Sequence, residues 1–143
     1  MTRVKLLAAI LATFLPAQAA QGIDIARFVD AARAAENSPR HFISHDGARG
    51  CYQLKEITWS QYSKKPFEWA TSDEPYALVE TRRVALAHAS WIVNSAIPSL
   101  NLSATVYTAA LIWRKGYENV RKLNLTRENI DFAKRVCNLY ESP

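Results

Sequence analysis

Glycine is scarce in this 143-residue chain, with four in all; cysteine occurs twice and methionine once. These shortages exclude several kinds of chemistry. No Gly-x-Ser-x-Gly segment is present, so the sharp turn that exposes a hydrolase serine has no sequence to build it. Cys51 and Cys137 stand far apart, which rules out a Cys-x-x-Cys metal or redox pair. The three histidines, His41, His45 and His88, form no His-Glu-x-x-His pattern, so neither a metal nor a cofactor is expected. No internal repeat or low-complexity linker occurs, and no strong strand signal appears. Beyond residue 19, no apolar run reaches the ~18 residues that would span a bilayer.

What is present begins with a targeting pattern. Arg3 and Lys5 precede an apolar run from Leu6 to Leu15, and Ala17-Gln18-Ala19 offers small residues for cleavage. Residues 1–19 are therefore expected to be a signal peptide. Residues 20–143 are expected to form one exported domain, periplasmic or extracellular, with no stable membrane span after cleavage. The chain's 18 basic and 13 acidic side chains give +5, and without Arg3 and Lys5 the charge falls to +3. Mild basicity suits an anionic polymer such as a cell-wall glycan. Charge alone is compatible with nucleic acid too, but the basic residues are scattered. The short clusters Lys64-Lys65, Arg82-Arg83 and Arg114-Lys115 read as solvated surface, and no nucleic-acid partner is expected. Export permits a Cys51–Cys137 disulfide; the alternative is two small buried hydrophobes.

The helical period dominates the exported part. A first helix is expected from about Gly22 to Glu36, with Ile23, Ala26, Phe28, Val29, Ala32 and Ala35 on one stripe. Residues 37–50 read as a loop, in which a two-stranded ribbon over residues 40–52 has only a weak signal. A short helix over Lys55 to Tyr62 and a second loop over Lys64 to Ser72 follow. Glu74-Pro75 opens the longest helix, Tyr76 to Ala96, which Pro98 should end. Ser103 is a fair N-cap for a helix through Lys115, apolar nearly all round and hence central, and Gly116 stops it. Thr126 caps a last helix with Ile130, Ala133, Val136, Cys137 and Tyr140 on its inner face.

The stretch from Glu36 to Gln53 is the most informative. Ser44, Gly47, Ala48, Gly50 and Gln53 follow Glu36 in an order that resembles the lytic transglycosylases of the lysozyme-like superfamily. In that family a catalytic Glu ends a helix and a Ser-x-x-Gly-Ala-x-Gly-Leu-hydrophobic-Gln loop follows. Here Cys51 replaces the Leu, Tyr52 replaces the usual Met, and the Glu-to-Gly interval is one residue shorter. The family's Ala-Tyr-Asn-x-Gly segment corresponds to Ile112-Trp113-Arg114-Lys115-Gly116, with Trp for Tyr and Arg for Asn. The final helix is similar through Ala133-Lys134-Arg135-Val136 and Leu139-Tyr140. The family's middle signal survives only as Glu74-Pro75.

The resemblance implies a mainly α, goose-type or transglycosylase-like domain with little or no β-ribbon. It also implies that Glu36 is the catalytic acid of a peptidoglycan lytic transglycosylase. Such an enzyme cleaves the MurNAc-GlcNAc β-1,4 bond with one Glu, and the sugar's own 6-hydroxyl attacks to give a 1,6-anhydro product. Physical reasoning agrees. A carboxylate in a helix's last turn meets the negative end of the macrodipole, and partial burial adds to the pressure to stay protonated. A neutral carboxyl group near working pH is what protonation of a glycosidic oxygen needs. Asp46 and Glu56 are the nearest further carboxylates, and neither is marked as the partner that most glycoside hydrolases require.

Supporting roles fall to Ser44, Tyr52, Gln53 and Trp113 as substrate contacts. For three of them a structural alternative stands beside the functional one: turn chemistry for Ser44, a backbone bond for Gln53, core packing for Trp113. The expected partners are peptidoglycan strands and a cell-envelope assembly that needs a local opening. Two alternatives remain: a muramidase that hydrolyses the same bond with water, and an inactive relative that binds glycan or protein.

Overall fold

The computed structural model describes residues 22–142, so the expected signal peptide lies outside the described residues. The described chain is mainly helical, as expected, and contains no strand. None of its helices is long and apolar enough to cross a membrane.

Helix α1 spans Ile25–Glu36. Asp24 caps its start by accepting from the Arg27 N–H at 3.1 Å, and Asn37 ends it in the left-handed region at φ 49°. Phe28, Val29, Ala31, Ala32 and Ala35 form its buried face. Helix α2 is Glu56–Tyr62, and a 3-10 turn, Phe67–Thr71, breaks up the stretch expected to be only loop. This turn earns its order from packing: Ala70 is fully buried, and Arg40 reaches over to bond the Trp69 and Ser72 carbonyls at 3.1 and 2.8 Å.

Helix α3, Pro75–Trp91, does not stop before Pro98. It passes through a π-helical turn, Ile92–Ala96, into one further α turn, Ile97–Ser99. The Ile97 N–H bonds back five residues to the Ile92 carbonyl. That wider turn accommodates a proline that has no N–H to give and would clash in an ordinary helix.

Helix α4, Val106–Lys115, is the centre of the fold. Seven consecutive residues, Val106 to Ile112, are buried. Its cap is Thr105 and not Ser103: the Thr105 hydroxyl accepts from the Thr108 N–H at 3.1 Å, and Thr105 is itself buried. Gly116, at φ 90°, ends α4 as expected and opens the short α5, Tyr117–Arg121. Helix α6, Arg127–Glu141, starts at a reciprocal cap in which Thr126 and Asn129 each bond the other's backbone. It packs on α4 and α1, burying Phe132, Ala133, Val136 and Cys137. Ile130 and Tyr140, expected inside, are only half-buried.

Of the two alternatives for the cysteines, the structure has the second: Cys51 and Cys137 are both buried and are not joined. The reason is placement. Cys51 faces Arg40, whose Nη1 lies 3.9 Å from its sulfur, beside Asp30 and Arg33 of α1. Cys137 lies on the buried face of α6, near Tyr107 of α4. Each fills core volume as a small hydrophobe.

Candidate active-site groove

Glu36 owes its position to the end of α1. It is the last helical residue, and the chain turns away at Asn37, leaving the carboxyl at the edge of the bundle. The C-terminal end of α4 comes alongside, and Arg114 places Nη1 2.7 Å from Glu36 Oε2. The Glu36 side chain is only 3% exposed, whereas that of Arg114 is 38% exposed. A groove of about 1040 Å³ runs over this pair, and its wall includes Ser44, Gln53 and Trp113.

The electrostatics of Glu36 set two effects against each other. Burial penalises the anion and pushes the carboxyl up; Arg114 and, more weakly, Arg135 favour the anion and pull it down. Burial wins, helped by repulsion from Asp46, and the pKa stands at about 7 instead of 4.5. At neutral pH the carboxyl is therefore poised to give a proton and to take one back.

Asp46, on the same groove, goes the other way. The Ser44 hydroxyl donates to it, and the Ala48 N–H and Lys55 add to the stabilisation of the anion, so its pKa falls to about 2. Two carboxyl groups in one groove thus have their pKa values pushed apart: at neutral pH Asp46 is ionised, while Glu36 is divided between its neutral and charged forms.

The loop between Glu36 and Gln53 has a specific architecture. The Ser44 N–H donates to the Ala48 carbonyl and the Gly47 N–H to the Ser44 carbonyl, and Arg49 bridges to Ile43 and to Leu54, which is all the ribbon this loop contains. Gly50 is required by contact. At φ 75° it lies so close to the 3-10 turn that a Cβ would come within 2.1 Å of the Ala70 carbonyl oxygen. Arg40 fastens the loop from its other side, with Nη2 3.1 Å from the Thr81 hydroxyl of α3.

The expected site residues divide into three groups. Glu36, Ser44, Gln53 and Trp113 come together in the groove. Ser44 and Gln53 also serve the loop: Ser44 Oγ accepts from the Ala48 N–H at 3.1 Å, and Gln53 Nε2 donates to the Gly50 carbonyl at 2.8 Å. Trp113 is half-buried, its ring edge-on to Phe28 at 5.9 Å and 5.4 Å from the ring of His88, so it braces the groove wall between α1 and α3. Tyr52 stands apart. It is buried and is not among the groove residues; its hydroxyl accepts from Arg82 at 3.3 Å and its ring lies under Arg33.

Arg114 and Trp91 escape sequence reading. Arg114 read as part of a solvated basic cluster, yet it is the counter-ion of Glu36. Arg82 and Arg83, read the same way, bond Asp30 and Glu80. Trp91 closes α3 and lines the groove while 39% exposed. Its only sequence signal is that it follows His88 by one helical turn. Among the described residues, no group of three His, Cys, Asp or Glu side chains is placed to hold a metal ion. Compared with known protein families, with curated proteins and with solved structures, the chain matches none.

Proposed function

We propose that this protein is an exported peptidoglycan lytic transglycosylase with a lysozyme-like helical domain, and that Glu36 is its catalytic residue. The observation that carries the reading is the Glu36 carboxyl, buried in the wall of a groove of about 1040 Å³ and poised at about pH 7. In the reaction, the Glu36 carboxyl gives its proton to the glycosidic oxygen as the bond from the MurNAc anomeric carbon to that oxygen breaks. The sugar's 6-hydroxyl then forms a new bond to the anomeric carbon, and the Glu36 carboxylate takes the hydroxyl proton. One group serves as acid and then as base, which a pKa near working pH allows in both directions.

Asp46 favours a second reading, a hydrolase in which it activates water, because it is ionised and shares the groove. Its basicity argues against that role. A carboxylate held at about 2 by Ser44 and Lys55 is too weak a base to draw a proton from water efficiently. The Glu36–Arg114 pair favours a third, an inactive glycan-binding relative.

Digestion of purified peptidoglycan, followed by mass spectrometry of the fragments, separates all three. The proposal expects anhydro ends, each one water lighter than a hydrolysed end. Reducing ends would assign a muramidase, and binding without fragments would assign an inactive module.

A further inference from the structure

His88 is a half-buried titratable side chain that the reaction above does not use. It belongs to the groove wall, yet its Nδ1 is buried without a hydrogen-bond partner. Burial also depresses the imidazole to about 4, so the ring is neutral at working pH. A histidine in this state contributes a flat, uncharged ring.

That ring backs an exposed one. Trp91 stacks on His88 with centroids 6.0 Å apart and planes 11° from parallel. Tyr117 meets Trp91 edge-on at 6.0 Å, and the Tyr117 hydroxyl is held by Ser99 at 2.8 Å. Trp113 also meets the His88 ring, tilted, at 5.4 Å. The Trp91 indole is therefore fixed from two directions while much of it stays open to solvent. A rigid, partly exposed indole costs little conformational entropy when a ligand covers it.

We propose that Trp91 is a sugar-stacking platform in the groove that holds Glu36, with His88 and Tyr117 as the rings that fix its orientation. The ligand is an N-acetylhexosamine unit of the glycan. A pyranose carries C–H bonds on one face, which suit an indole, and hydroxyl and acetamido groups on its rim, which stay in water. A neutral aromatic backing fits this ligand. Trp91 touches substrate; His88 is a positioning residue that acts through Trp91. The proposal rests on reading the groove as glycan-binding.

The test is calorimetric titration of the N-acetylglucosamine tetramer into the Glu36→Gln protein, with further substitutions added to it. Trp91→Ala is expected to raise Kd about tenfold or more with only a small drop in the melting temperature, because the removed side chain is partly exposed and lies at the groove edge of the core. Trp91→Tyr should restore part of the loss. His88→Phe keeps a neutral ring behind the indole and should bind like its parent, whereas His88→Ala should bind more weakly. Tetramer affinity unchanged by Trp91→Ala would overturn the platform and leave the groove reading intact. Absence of tetramer binding by the parent, together with absence of wall lysis by the wild type, would overturn both.

Discussion

Replacing Glu36 with Gln is expected to lower wall lysis by about a thousandfold or more. The amide keeps the shape of the neutral acid but has no proton to donate and recover, and general acid catalysis of this kind supplies roughly 10²–10⁴ of rate. The same substitution should raise stability at high pH. Glu36 is an acid whose pKa in the folded chain, about 7, lies above its ordinary 4.5. Ionisation therefore opposes folding. The penalty is absent below about pH 4.5, grows between 4.5 and 7, and is complete above 7. That interval corresponds to about 3 kcal/mol, with little solvent discount because the carboxyl is buried. Urea unfolding should find variant and wild type equally stable at low pH, with the variant ahead by up to about 3 kcal/mol at pH 8.5. Activity lost while stability is gained marks a residue kept for chemistry. Near-wild-type lysis by the purified variant would remove Glu36 from the mechanism.

Gly50→Val should cost about 4 kcal/mol or more and take activity with it. Two causes add. At φ 75° an L side chain is strained whatever the space, and a β-branched one most of all. Its Cβ would also meet the Ala70 carbonyl at 2.1 Å, and that oxygen belongs to the backbone of the 3-10 turn. Relief requires the loop and the turn to separate. Such a shift would move the loop that carries Ser44 and Gln53 along the groove. Gly47→Ala is the control. It shares the positive φ, at 85°, but its Cβ would meet nothing within 4 Å. It should cost only about 1 kcal/mol. Equal melting temperatures for Gly50→Val and wild type would show that the close approach is not required.

Much of this architecture can be read from local chemistry. Helix boundaries at Glu36, Gly116 and Thr126 follow from a chain turn, a positive-φ glycine and a capping side chain, all of which are encoded within a few residues. Where the reading fails, the cause is tertiary. Pro98 is carried inside a helix by a π turn, anchored by the buried Ala96 and Ile97. Thr105 outcompetes Ser103 as a cap because its hydroxyl also bonds the buried Thr108 hydroxyl at 2.9 Å. Residues 67–71 gain order from Arg40, some thirty positions away.

The site shows the same division. Glu36 and its loop are contiguous in sequence, and their spacing points to them. Arg114 lies 78 positions from Glu36, and nothing near it announces a buried partner. Trp91 gains its meaning from His88, Tyr117 and the groove, which come together only in the fold.

The account turns on the protonation of one carboxyl group, and that is directly measurable. A carbon-detected NMR titration of the glutamate carboxyls, with the Glu36 signal assigned by its loss in Glu36→Gln, gives the pKa in the intact protein. The expected midpoint is about 7. It should move upward in Arg114→Gln, because the guanidinium at 2.7 Å favours the anion. A wild-type midpoint near 4.5 would contradict the account, since Glu36 would then be ionised at neutral pH and have no proton to give.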